Sequence, residues 1–104
     1  MNNLGMFNQI YEVVKSIPKG CVMSYGTVAS IIGRPRSSRF VGFALHQNPK
    51  QQEIPCHRVV FKDGSLSPAF AFGGINAQKD LLTAEGITFA DGKVNMKKHA
   101  VKLN

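Results

Sequence analysis

The sequence predicts an α+β fold, mostly helical: a single small domain with a winged-helix-like helix-turn-helix and short β-hairpins. Three observations predict it. The 104 residues, 43% of them hydrophobic, suffice for one core and leave little room for a second. Apolar residues recur at helical spacing in three early segments, two of them joined by a tight glycine-containing turn. Later in the chain, apolar runs of two or three residues flank Asp-Gly pairs, a hairpin signature.

Each element has its own justification. Phe7, Ile10, Tyr11, Val13, Val14 and Ile17 form the apolar stripe of a first helix, which Pro18 and Gly20 end. Cys21-Val22-Met23 is short and extended. Ser24 is the N-cap of a second helix through Tyr25, Val28, Ala29, Ile31 and Ile32, and Gly33-Arg34-Pro35 breaks it. Ser37 or Ser38 caps a third helix through Phe40, Val41, Ala44 and Leu45, which Asn48-Pro49 stops. Arg58-Val59-Val60-Phe61 reads as a strand running into an Asp63-Gly64 hairpin turn. Ala69 to Gly74 is an apolar, glycine-rich loop carrying Phe70 and Phe72. Asn76 starts a helix holding Leu81 and Leu82, with Glu85 in its last turn and Gly86 as its stop. Asp91-Gly92 makes a second hairpin between Ile87-Thr88-Phe89 and Val94-Asn95-Met96, and the basic tail from Lys97 is expected to fray.

Composition narrows the function classes. No apolar run approaches the roughly 20 residues of a membrane span, and no secretory leader is visible at the amino terminus. Cys21 and Cys56 are expected as free thiols of a cytoplasmic protein. Thirteen basic against six acidic residues give a net charge of +7. No acidic residue lies between Glu12 and Glu53, while Lys15, Lys19, Arg34, Arg36, Arg39 and Lys50 all do. Such a stretch suits a polyanion such as nucleic acid, or else a solvated basic face.

The chemistry concentrates at Pro55-Cys56-His57-Arg58. A thiol reacts as its thiolate, and an imidazole can generate that thiolate near neutral pH. Sequence adjacency does not make the two side chains converge, so a third group orienting the imidazole is needed, and Glu85 is the candidate. Buried hydrophobe and nucleophile remain alternative readings of Cys56. Cys21, Cys56, His46, His57 and His99 lack the paired spacing of a zinc site, so no metal is expected.

Taken together these residues resemble the DNA-binding and active-site domain of the O6-alkylguanine-DNA alkyltransferases. The resemblance rests on Ile17-Pro18-Lys19-Gly20, Ser24-Tyr25-Gly26, Arg39-Phe40-Val41-Gly42, Asn48-Pro49, Ile54 through Val60, Gly73-Gly74 and Leu81-Leu82 with Glu85-Gly86. It covers about residues 6 to 90, leaving a basic carboxy-terminal extension over 91–104 and no amino-terminal domain.

The resemblance implies double-stranded DNA containing O6-alkylguanine as partner, a monomeric protein and no cofactor. The helix beginning near Arg39 would enter the minor groove, and the damaged guanine would leave the stack. Arg39 would fill the gap, Gly42 and Ala44 would let the helix backbone approach, and Tyr25 would crowd the phosphate and meet the extruded base. Arg34 and Arg36, from the basic stretch, are further DNA-binding candidates, and Phe70 and Phe72 would form the lid. Asn48 would brace the turn before Cys56, while His57, oriented by Glu85, would draw the thiol proton so that sulfur takes the alkyl group irreversibly.

Two features depart from the family's pattern. The family's usual tyrosine before the Gly-Gly is replaced by Phe70-Ala71-Phe72, and the family's usual additional domain is not expected here. Both suit the related alkyltransferase-like proteins, which bind the lesion without repairing it, signal to nucleotide excision repair and typically have tryptophan where this chain has Cys56. A helix-turn-helix transcription factor is the remaining alternative.

Overall fold

A computed structural model describes residues 3–48, 50, 52–68, 70 and 72–102. Helix α1, Asn3–Lys15, turns Ile10 and Val14 fully inward, as the helical spacing of its apolar residues requires. The chain then reverses into a two-residue strand β1, Met23–Ser24, and helix α2, Tyr25–Ile31. Ser24 caps α2, its hydroxyl accepting a hydrogen bond from the Thr27 amide at 3.1 Å. After a turn at residues 32–37, helix α3 spans Ser38–His46. Ser37 stands at its N-cap position without a side-chain cap bond.

Val41, Ala44 and Leu45 of α3 pack with Val28 and Ala29 of α2 and the inner face of α1 in one apolar cluster. A short 3-10 turn, Cys56–Arg58, leads into β2, Val59–Val60, and this strand pairs in parallel with β1. The pairing aligns Met23 with Val59 and Ser24 with Val60. Parallel neighbours need a long crossover, and here α2 and α3 supply it. The consequence is positional: the residues just before β2 are delivered beside the helix pair, and the start of α2 lies beside Phe61.

The Asp63-Gly64 turn forms, but not as the expected hairpin. Its strand β2 is already committed to β1, and the turn instead closes through Phe61 N–H to the Ser65 carbonyl at 3.0 Å. The Gly64 carbonyl accepts from the Val94 amide at 2.9 Å, tying the turn to the last part of the chain. The second hairpin is present as β3, Phe89–Ala90, and β4, Lys93–Val94. Both central residues of its turn, Asp91 and Gly92, have positive φ (54° and 78°), as a two-residue primed turn requires.

Helix α4, Gly74–Ala84, begins two residues before Asn76, and Glu85 is its C-cap. Expectations that rest on Pro49, Ala69 and Ala71 lie outside the described residues. The expected fraying from Lys97 is corrected by the structure. Residues Met96–His99 form a short helix α5, capped by Asn95, and His99 is buried with its Nε2 accepting the Thr88 amide at 3.0 Å. Val22 then bridges to Ala100 in parallel. This segment covers a second cluster of Val22, Val60, Leu66, Leu82, Ile87 and Val94, which would otherwise face water. Among the described residues no helix is long and apolar enough to cross a membrane.

Candidate active site and nucleic-acid interface

Where the start of α2, the outer face of α3 and the 3-10 turn converge, a cavity of about 210 Å³ opens. Its walls are Tyr25, Leu45, Phe61 and Phe70, with Ser38, Arg39, Gly42, His46 and Ser67 adding polar or small surface. Cys56 belongs to the lining yet is only 3% exposed. The thiol is therefore reached from within the cavity rather than from the open surface. The Tyr25 ring stands 5.1 Å from that of Phe61, centroid to centroid, and its hydroxyl hydrogen-bonds with Ser67.

Beneath the cavity a polar network holds the Cys56–Arg58 turn. Buried Asn48 donates from Nδ2 to the Ile54 carbonyl at 2.8 Å and accepts the Lys50 amide at 2.9 Å. It thus braces the chain on both sides of the bend that delivers Cys56. His57 Nε2 lies 3.0 Å from Glu85 Oε2. Arg58 grips the same carboxylate through one edge with two bonds, Nε to Oε1 at 2.9 Å and Nη2 to Oε2 at 2.7 Å, and sends Nη1 to the Ile17 carbonyl at 2.8 Å. Gln78, 1% exposed on α4, donates to the His57 and Val59 carbonyls and accepts the Ser67 amide. The turn's backbone is thereby tied to α4 at the cavity's edge.

Electrostatics follow from this packing. Burial pushes the Cys56 thiol up, and hydrogen bonding to Asn48 offsets only part of that. Burial also lowers the His57 pKa, outweighing the carboxylate of Glu85 that works to raise it. For Glu85 burial works upward, but hydrogen bonds from Arg58 and His57 prevail and hold it below its ordinary value. The resting pair is thus a neutral thiol and a neutral imidazole beside an ionised carboxylate. Because that carboxylate can only accept, Nε2 carries the ring hydrogen and Nδ1 is the basic nitrogen. A ring so poised can take a proton and have the resulting cation stabilised by Glu85.

The structure brings Cys56, Tyr25, Arg39, Gly42 and Phe70 around one cavity, with His57, Glu85 and Asn48 immediately behind it. Arg34 and Arg36 are exposed in the turn between α2 and α3, apart from the cavity lining. Ala44 must be reassigned: it is fully buried, and its carbonyl accepts the Tyr11 hydroxyl at 2.8 Å, so it faces the core and not an incoming groove. Phe72 also falls elsewhere. It leans on Phe70 at 5.8 Å but points to a shallow surface beside Lys50, Gln52 and Glu53. Sequence reasoning missed Arg58 as the partner of Glu85, although it stands inside the Cys-His-Arg run. It also missed Ser67, Phe61 and Gln78, for which the sequence carried no local signal. Among the described residues no three His, Cys, Asp or Glu side chains gather as metal ligands would.

Comparison with known proteins agrees with this geometry. The chain is 37% identical over 92 residues to a DNA base-flipping protein of Vibrio parahaemolyticus, covering 88% of this chain and 90% of that protein. It is 40% identical over 78 residues to the methylated-DNA–protein-cysteine methyltransferase of Salmonella typhimurium, covering 75% of this chain and 44% of that enzyme. It spans about a third of the length of the bifunctional methyltransferase/endonucleases of Picrophilus torridus and Thermoplasma volcanium. Among solved structures, S. pombe Atl1 in complex with damaged DNA containing O6-carboxymethylguanine superposes with a TM-score of 0.88 at 30% identity, over 99% of this chain and all of that one. Residues 5–87 match the family model of the 6-O-methylguanine DNA methyltransferase DNA-binding domain, and the chain belongs to that family.

Proposed function

We propose that this protein binds duplex DNA containing O6-alkylguanine, turns the damaged base into the cavity and transfers its alkyl group to Cys56. The observation that carries the reading is a cysteine sulfur on the wall of a cavity, followed in sequence by a neutral histidine hydrogen-bonded to an ionised glutamate. A sensor that only holds the lesion has no need of that relay.

The chemistry balances within these residues. Nδ1 of His57 takes the Cys56 proton, directly or through one water, and Glu85 stabilises the imidazolium. The thiolate attacks the alkyl carbon on O6, forming a C–S bond as the C–O bond breaks. The electron pair leaves with guanine, which gains a proton from a donor at the cavity wall, a role we assign to Tyr25, which lines the cavity. The thioether product holds no leaving group, so each molecule reacts once. The raised thiol pKa keeps Cys56 protonated until base and substrate are both present, which limits side reactions.

Intact-mass measurement after incubation with an O6-methylguanine duplex tests the proposal. Gain of one methyl group, mapped to Cys56 and absent from Cys56→Ser, is the expected result. A second reading, a lesion sensor working with nucleotide excision repair proteins, is favoured by one observation: the likeness to S. pombe Atl1 spans the whole of both chains. Tight, preferential binding of the alkylated duplex with no mass gain would establish that reading and sink the enzymatic one. Equal affinity for alkylated and plain duplexes would count against both and favour a helix-turn-helix regulator.

A further inference from the structure

Helix α3 carries an apolar feature that the cavity does not absorb. Arg39, Gly42, Phe43 and His46 follow i, i+3, i+4, i+7 spacing and form the outer stripe of the helix, opposite buried Val41, Ala44 and Leu45. Three of the four, Arg39, Gly42 and His46, line the cavity. The fourth, Phe43, is 54% exposed and is a large apolar side chain on this otherwise polar or small face. It is not loose. Phe7 of α1 meets it edge-on at 5.9 Å, and Phe40 lies 6.3 Å away, so two aromatic rings brace it from the side.

The surroundings say what covers such a ring. It stands one helical turn from Arg39, on a helix preceded by the exposed Arg34 and Arg36, within a 40-residue stretch lacking any acidic side chain. Charge there suits a polyanion, and the stripe is continuous with the cavity proposed to receive a base. A helix with side chains is about 10–12 Å across, whereas the minor groove is only about 6 Å wide. A bulky side chain on the entering face therefore demands that the groove open. Proteins open it with apolar wedges that partly unstack a base step and kink the duplex.

We propose that Phe43 is such a wedge, packing its ring against the sugars and base edges of the step beside the extruded nucleotide. The inference rests on the DNA reading above and deepens it. Arg39 and Phe43 then act as a pair on one face, a cation and an apolar ring one turn apart. The wedge widens the groove enough for the helix to approach and lowers the cost of rotating the neighbouring base.

Phe43→Ala and Phe43→Leu test it, on O6-methylguanine and plain duplexes of the same sequence with 2-aminopurine at the adjacent step. For Phe43→Ala we expect roughly tenfold weaker binding to both duplexes, the scale of one lost aromatic contact with a base. The slope of log affinity against log salt should stay as in the wild type, because no charge is removed. The 2-aminopurine emission that rises on wild-type binding should be lost. Phe43→Leu, which keeps apolar bulk, should retain most of the affinity and melt like the wild type. Unchanged affinity and emission in Phe43→Ala would overturn the wedge, as would a wild-type dimer that this variant dissociates without change in DNA binding. A wild type that ignores the methyl group would sink the lesion reading alone, since loss of plain-duplex affinity in Phe43→Ala would still sustain the wedge.

Discussion

Glu85 is the residue through which three separate parts of the chain meet. Its two oxygens serve His57 and the Nε and Nη2 of Arg58, and Arg58 in turn holds the Ile17 carbonyl at the end of the first helical region. The Arg58 and Glu85 side chains are only 15% and 13% exposed, so removing one member leaves the other's charge stranded out of water. Glu85→Gln keeps the shape but removes the charge that stabilises the imidazolium. Methyl uptake by Cys56 is expected to slow by roughly a hundredfold, the lower range for general-base catalysis, while affinity for the alkylated duplex changes little because Glu85 does not line the cavity. Single-turnover mass measurements and duplex titrations separate the two. An equal loss in both would reduce Glu85 to a structural brace.

At the scale of elements, the parallel pairing of β1 with β2 does more positioning than its two residues suggest. It places the Cys56–Arg58 turn against α2 and α3, and it frees the Asp63-Gly64 turn to reach the last hairpin. Gly64 is where that arrangement is most sensitive. Its φ is +90°, and a Cβ there would collide with the Val94 backbone. Gly64→Ala should therefore cost more than about 1 kcal/mol, read as a lower midpoint in urea with little change in slope. A midpoint equal to the wild type would mean that the turn can move away from Val94 freely. The carboxy-terminal elements belong to the same account, since α5 and the Val22–Ala100 bridge cover the second apolar cluster.

For the molecule as a whole, titration below neutral pH should act in one direction. Folding lowers the His57 pKa from 6.5, so just below 6.5 the unfolded chain binds a proton that the folded chain refuses, and stability falls as pH falls through that window. Glu85 is lowered from 4.5, and its stabilisation, present above that value, is lost as pH drops further. Exposed Asp63, lowered from 3.8 to about 2 by hydrogen bonds around Ser65 and by Lys93, acts in the same sense at still lower pH. The melting temperature should hold at neutral pH and decline in stages on acidification. His57→Gln should remove the first stage. A melting temperature that rises between pH 7 and 5 would contradict these assignments.

The sequence by itself determined helices α1 to α4, the capped helix-turn-helix, the primed turn at Asp91-Gly92 and the adjacency of Cys56 and His57. Each of these is set by neighbours within one or two turns of chain: apolar spacing, a capping hydroxyl, two adjacent residues able to take positive φ. Only the tertiary structure decided the partners of distant groups. Nothing local to Asp63-Gly64 says that β2 will pair in parallel with β1, or that Lys97 onward will be held down by Val22. The same holds at the site. Ala44 and Phe72 looked like interface residues by type and position, but helix phase turned one into the core and packing against Phe70 turned the other away. Arg58 was in plain view beside His57, yet its role depends on a carboxylate 27 residues further along the chain. Long-range packing of α4 against the 3-10 turn made that contact, and local sequence carries no record of it.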